Sequence, residues 1–141
     1  MKTPNRLTRA LAGLAVVTLA IGVFASCTPE QAATFKSHVA NRVATVKLAS
    51  ARSPKAPSDE TLARLRNCES HGNYSAVSRS GRYRGAYQFS RATWDSTARS
   101  LLPEYVGVDP AVAAPYIQDA MARALWSDTG WVSWPVCGRR A

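Results

Sequence analysis

Acidic residues are scarce in this 141-residue chain: nine Asp and Glu stand against eighteen Lys and Arg, for a formal charge of +9. Histidine occurs twice, as His38 and His71, and cysteine three times, as Cys27, Cys68 and Cys137. A metal centre needs clustered ligands, and these residues are too dispersed to supply one, so no metal and no cofactor is expected. Long apolar runs are also missing. The run from Leu11 to Phe24 covers 14 residues, whereas a bilayer-spanning helix takes about 20.

That run follows Lys2, Arg6 and Arg9 and reads as a secretion signal over residues 1–26. Its end, Val23-Phe24-Ala25-Ser26-Cys27, fits two processing routes. One is cleavage after Ala25; the other is lipoprotein processing that leaves Cys27 as a lipidated N-terminus, with Phe24 where leucine is usual. Export to the cell envelope, secreted or anchored on the outer face of the cytoplasmic membrane, makes nucleic acid an unlikely partner despite the basic charge.

The charge is unevenly spread: +3 in the signal, +4 from Thr28 to Ser58 and +2 from Asp59 onward. Residues 27–57 form a basic linker ending in Ser53-Pro54-Lys55-Ala56-Pro57, a spacer composition. Within it, Phe35, Val39, Val43 and Val46 recur at helical spacing, which fits a short amphipathic helix. Three β-branched valines and no matching cap fit disorder equally well.

Residues 58–141 read as one small, mainly helical domain. Ser58 offers an N-cap for a helix from about Asp59 to Glu69. Tyr74 to Val77 and Tyr83 to Phe89 flank Ser78-Arg79-Ser80-Gly81, an irregular hairpin signal. Ser90 caps a helix through about Ser100, and a last helix from about Pro115 to Asp128 turns Ile117, Met121, Ala124 and Leu125 inward.

One carboxylate stands apart. Leu62 and Leu65 recur at helical spacing, and Glu69 occupies the next position on that stripe. The turn signal Gly72-Asn73 places it in the last helical turn, where burial and the negative end of the helix dipole both disfavour ionisation. A carboxyl group kept protonated near neutral pH can act as the general acid of glycoside cleavage.

Three ordered blocks surround this position: Cys68-Glu69-Ser70 with Gly72-Asn73-Tyr74; then Tyr83, Gly85, Gln88, Phe89, Thr93 and Trp94; finally Gly130-Trp131 with Trp134-Pro135-Val136-Cys137. Together they resemble the transglycosylase-like domains of the resuscitation-promoting-factor family, over about Thr61 to Cys137. A looser resemblance to soluble lytic transglycosylases, in Glu69-Ser70, Ala76-Val77-Ser78, Gly85-Ala86 and Gln88, points to the same superfamily. The resemblance implies an α+β, lysozyme-like domain with a minor β-hairpin, with Glu69 as its acid and peptidoglycan glycan strands as its substrate. Two departures are His71, where a glycine is usual, and Ala86-Tyr87, where a glycine and an aliphatic residue are usual.

Export places the cysteines in an oxidising compartment, where pairing is expected. Cys68 and Cys137 are the natural disulfide, and Cys27 is left for lipid attachment. By the same resemblance Tyr83, Gln88, Thr93 and Gln118 line the cleft. Sugar rings stack their C–H faces on aromatic side chains, which adds Tyr74 and Trp134 as cleft walls; Trp94 and Trp131 are assigned to packing.

A two-carboxylate hydrolase needs a second acid at a set distance from the first. Asp95, Asp109, Asp119 and Asp128 are present, but none falls in the three blocks. The preferred reading is therefore a single-acid cleavage, as a lytic transglycosylase or a muramidase. Two other classes fit the same residues: a non-catalytic peptidoglycan-binding or signalling lipoprotein, and a module that docks on a partner wall hydrolase.

Overall fold

The computed structural model describes residues 28–141; the secretion signal and Cys27 lie outside the described residues. Four α-helices, α1 (Pro29–Ala51), α2 (Asp59–Ser70), α3 (Arg91–Leu101) and α4 (Pro115–Thr129), account for most of these residues. Two short strands, β1 (Tyr83–Arg84) and β2 (Phe89–Ser90), lie between α2 and α3. Single 3₁₀ turns fill Pro103–Tyr105, Pro110–Val112, Gly130–Ser133 and Gly138–Arg140. The architecture is the expected small α+β domain. Among the described residues no helix is long and apolar enough to cross a membrane.

Local chemistry explains the helix boundaries. The Ser58 hydroxyl accepts from Thr61 N at 2.9 Å and the Ser90 hydroxyl from Thr93 N at 3.1 Å, satisfying first-turn amides of α2 and α3. Pro115 opens α4 at a position where its missing N–H costs nothing.

Helix α1 resolves the ambiguity of the linker, and the cap absent from the sequence reading is there. Thr28 and Gln31 form a capping box: Thr28 N donates to Gln31 Oε1 at 2.9 Å, and Gln31 N donates to Thr28 Oγ1 at 3.2 Å. Pro29 follows as the first helical residue and Glu30 lies in the first turn. The valine stripe is only partly used, since Val39 is buried and Val43 packs on the core edge while Phe35 stays exposed. Arg42 fixes the helix by donating twice to the Leu101 carbonyl, at 2.7 and 3.1 Å. The spacer composition after it is also tied down. Ser53 Oγ donates to Ser127 O and Lys55 Nζ to Asp128 O, both at 3.0 Å, and Arg123 Nη1 donates to Pro57 O at 2.7 Å.

The regular strand pairing falls one segment later than the turn signals indicate. β1 and β2 pair antiparallel, Tyr83 with Ser90 and Arg84 with Phe89, so the turn is Gly85 to Gln88. The expected hairpin around Ser78 to Gly81 reduces to one bridge, Val77 with Arg84. There Ser78 N donates to Tyr83 O at 2.9 Å, but Tyr83 N donates to the Ser78 hydroxyl at 3.0 Å, a side-chain bond in place of the return backbone bond.

Leu62 and Leu65 of α2 meet Trp94 and Ala98 of α3 and Ile117 and Met121 of α4 in one core. Phe89 is edge-on to both Trp94 and Trp134, with centroids 5.4 and 6.0 Å apart. The two buried indoles are also satisfied: Trp94 Nε1 donates to Tyr105 O and Trp134 Nε1 to Tyr87 O. Trp131 departs from its assignment to packing, with 40% of its surface exposed and Arg139 over its ring at 4.7 Å. Cys68 and Cys137 form the expected disulfide, tying the last turn of α2 to the C-terminal segment.

Candidate active site

Glu69 lies in the last turn of α2, one residue after the disulfide and four after the fully buried Leu65. The helix stops at His71, which adopts a left-handed conformation with φ 57°. His71 N donates to Asn67 O at 2.9 Å, the single bond of an αL helix ending, and Gly72 N donates to Arg66 O at 3.1 Å. The position where the resembling family usually has glycine is therefore one where a side chain is strained, by about 1 kcal/mol. Burial raises the Glu69 pKa above its ordinary 4.5, since a half-buried carboxylate loses hydration. Its place in the last turn of α2 also sets it at the negative end of the helix dipole. Among the described residues no hydrogen bond or ion pair engages the Glu69 carboxyl, which leaves its proton available to a bound group.

A cleft of about 320 Å³ opens over this carboxyl. Tyr83 and Gln88 line it from the β-turn, and Ser133 to Cys137 from the C-terminal segment. A second depression of about 300 Å³ shares Tyr83, Gln88, Ser133 and Trp134 with the first and adds Thr93 and Arg82. Four sequence-predicted residues are thus brought together with Glu69: Tyr83, Gln88, Thr93 and Trp134. Tyr83 is 42% exposed on the strand edge, an apolar face presented to the cleft. Trp134 is almost wholly buried, so it contributes only an edge of the wall. Gln88 is held in a left-handed conformation, φ 51°, and its amide Nε2 donates to Gly85 O at 3.0 Å. Strain of this kind concentrates at sites where the surrounding fold dictates an unusual backbone. With the nitrogen so engaged, Gln88 Oε1 is the acceptor left for a ligand.

Two predicted residues lie elsewhere. Gln118 is a correction: its side chain is fully buried and lines neither depression. Its Oε1 accepts from Ala86 N at 2.9 Å, and its Nε2 donates to Ala113 O at 2.9 Å and Tyr74 O at 3.0 Å. The amide clamps the β-turn to α4 from behind. Gly85 makes room for it, because a Cβ there would collide with Gln118 Oε1. Tyr74 is likewise outside the cleft; its hydroxyl donates to Asp119 Oδ1 at 2.8 Å, beside Tyr87, which donates to the same oxygen at 2.6 Å. Burial, followed by the hydrogen bond to Asp119, pushes the Tyr74 hydroxyl up to about 12, so it remains a donor across the physiological range.

The other acids are committed away from the cleft. Asp109 pairs with Arg84 at 2.6 Å and caps Ala111 N; Asp95 accepts from Gly107 N at 2.8 Å; Asp119 holds the two tyrosines. Asp128 lies between α3 and α4. Among the described residues lining the two depressions, Glu69 is the sole acid and Arg82 the sole base. The described residues contain no group of three or more His, Cys, Asp and Glu side chains placed to hold a metal ion.

Ser133, Pro135 and Val136 were not singled out as cleft residues by sequence reasoning, although a signal existed. A disulfide between Cys137 and the neighbour of Glu69 obliges the residues just before Cys137 to border whatever Glu69 faces.

Residues 56–137 match the family described as Transglycosylase-like domain, more than half of the chain. Similar curated proteins are "Probable transglycosylase SceD" of Staphylococcus haemolyticus, 40% identical over 73 residues, and that of Staphylococcus aureus, 38% identical over 76 residues. "Probable transglycosylase SceD 3" of Staphylococcus saprophyticus is 44% identical over 66 residues. The alignments cover 52%, 54% and 47% of this chain, and 30%, 32% and 26% of the relatives. The chain thus spans about a third of the length of the curated relatives it matches.

Proposed function

Because the chain belongs to the transglycosylase-like domain family, we propose that it cleaves peptidoglycan glycan strands as a lytic transglycosylase, with Glu69 as its general acid and base. The observation that carries this reading is the isolation of Glu69: a half-buried, unpartnered carboxyl with a raised pKa, alone among acids in a cleft walled by Tyr83 and Gln88. The Glu69 carboxyl donates its proton to the oxygen linking N-acetylmuramic acid to N-acetylglucosamine, and the C1–O bond breaks with its electron pair passing to that oxygen. A carboxylate nucleophile at about 5 to 5.5 Å, or a water-activating base at about 6.5 to 9.5 Å, would demand a second acid in the cleft. With none there, the nucleophile is the muramic acid's own C6 hydroxyl. It attacks C1 and returns its proton to Glu69, leaving a 1,6-anhydro end and a regenerated acid.

Tyr83 stacks on a sugar face in this scheme, Gln88 Oε1 accepts from an N-acetyl N–H, and Thr93 extends the polar lining. The N-terminal signal supports delivery to the cell envelope, as a secreted protein after cleavage at Ala25 or as one held to the membrane by a lipid on Cys27.

Digestion of purified peptidoglycan by the oxidised full-length chain, beside its Glu69→Gln variant, tests the reading, with soluble products identified by mass spectrometry. Anhydro-muropeptides from the parent, reduced by about 10²-fold or more in the variant, are expected. Reducing ends would make the protein a muramidase and require a second acid. Wall binding without products from either protein would sink the catalytic reading in favour of a binding module.

A further inference from the structure

A third depression of about 400 Å³ lies between α3 and α4, larger than either part of the cleft described above. It shares Leu125 with the depression beside Glu69's cleft, and Thr97 follows Thr93 by one helical turn on the same face of α3. The second and third depressions thus share Leu125 as a common wall and lie along one face of α3, the second in turn sharing Tyr83, Gln88, Ser133 and Trp134 with the cleft at Glu69. From Thr93 to Ser100 the helix adds roughly 10 Å of lining at its ordinary rise per residue.

The chemistry of this extension is that of a sugar site. Leu101 and Leu125, both partly exposed, supply an apolar floor for ring C–H faces. Ser96, Ser100 and Asp128 supply hydroxyls and a carboxylate above it, and among the described residues no side-chain hydrogen bond or ion pair engages any of the three. Thr97 donates to Thr93 O at 3.0 Å, which leaves its oxygen lone pairs for a donor on a ligand. No cation lines the depression, so it lacks the means to hold the carboxylates of a peptide stem; Lys55 Nζ, which comes close, donates to the backbone oxygen of Asp128. The Asp128 carboxylate is an acceptor for hydroxyl donors and would repel a stem carboxylate.

We infer that the α3–α4 groove is an extended binding site for the uncharged sugar faces of the same glycan strand that Glu69 cuts, and that it gives the enzyme a preference for long strands. This rests on the glycan-cleaving function proposed above. Adjacency to the cleft selects the occupant, since a strand leaving Glu69 along Tyr83 and Thr93 would pass Leu125, the wall common to the second depression and the groove.

The test uses the full-length chain carrying Glu69→Gln, which holds substrate without turnover, and peptidoglycan glycan oligomers of increasing length measured by calorimetry. Affinity is expected to rise with length beyond what fills the cleft. A second change, Ser100→Trp, which blocks the groove with an exposed side chain, should cost the longest oligomers on the order of tenfold and leave the shortest unchanged. Asp128→Ala, a milder change, should lower long-oligomer affinity in the same direction, which guards against misfolding of the tryptophan variant. Equal length dependence with and without these changes would overturn the inference while leaving cleavage of short oligomers by the parent chain intact. If the parent cleaves no oligomer and the Glu69→Gln chain binds none, the groove assignment falls together with the glycan reading.

Discussion

Helix α2 carries a carboxylate near each end, and its surroundings drive the two in opposite directions. At the N-terminal end Asp59 is exposed and faces Arg123, with Lys47 of α1 at 3.5 Å; these cations hold its carboxyl below the ordinary 3.8. At the C-terminal end Glu69 is half-buried with no cation against it, and burial holds its carboxyl above the ordinary 4.5. The same helix thus carries a paired, ionised carboxyl at one end and a desolvated, unpartnered one at the other. What separates them is solvent and neighbours, not residue type. The packing around the two ends differs too. α1 packs on α4, with Val39 buried in the core and Arg42 bonded to Leu101 of α3, and reaches the Asp59 end through one exposed ion pair from Lys47, whereas a covalent bond clamps the Glu69 end.

Breaking the clamp should have the largest effect. The disulfide closes a sequence separation of 69 residues, and reducing it should lower stability by roughly 4 kcal/mol on the chain-entropy account. Hydrogen exchange should locate the loss: amides from Arg66 to Ser70 and Trp134 to Gly138 open first, while α1 retains its protection. Earlier opening of α1 on reduction would contradict the division between a covalently clamped end and a non-covalently packed α1. The reciprocal perturbation, Val39→Ala, removes buried methyl groups from the α1 contact and should cost about 2 kcal/mol in urea unfolding. Because Val39 is remote from the cleft lining, glycan cleavage by the folded variant should be unchanged. A drop in activity at full folding would show that α1 shapes the cleft.

The helices were legible because their signals are local. Ser58, Ser90 and Pro115 announce the starts of α2, α3 and α4, and each of these helices ends one residue beyond its expected limit. The cap of α1 was equally local, Thr28-Pro29-Glu30-Gln31, but it follows directly on the secretion-signal segment, where attention goes to processing rather than to helix chemistry. Two other features had no local signal. The turn between β1 and β2 puts a non-glycine residue, Gln88, at positive φ, a conformation imposed by the fold around it. The role of Gln118 depends on Ala86, Ala113 and Tyr74 converging on one amide, and residues distant in the chain cannot advertise that. The register of Glu69 beneath Leu62 and Leu65 was readable, whereas the separation of Asp95, Asp109, Asp119 and Asp128 from its cleft needed three dimensions.

The smallest effects, and the sharpest test of the contrast between the two ends, lie in the pH dependence of stability. Lowering the folded pKa of Asp59 means that the unfolded chain binds more protons near pH 3.8, so its contribution is present above that value and is lost as pH falls through the folded pKa. The raised pKa of Glu69 reverses the sign. Here the folded chain binds more protons, so stability is greatest below pH 4.5 and declines as pH rises through the folded value. Asp59→Asn should therefore flatten the acid limb of the stability curve and lower stability at neutral pH by no more than an exposed ion pair contributes, about 0 to 1 kcal/mol. Glu69→Gln should instead raise the neutral-pH unfolding midpoint slightly, with the gain vanishing as pH falls below 4.5. A gain that persists unchanged at low pH would trace to packing rather than to charge, and the account of Glu69 as a desolvated acid would fail with it. Stabilisation confined to the pH range where Glu69 ionises would mean that the fold holds this carboxyl against its own stability, as expected of a group kept for proton transfer.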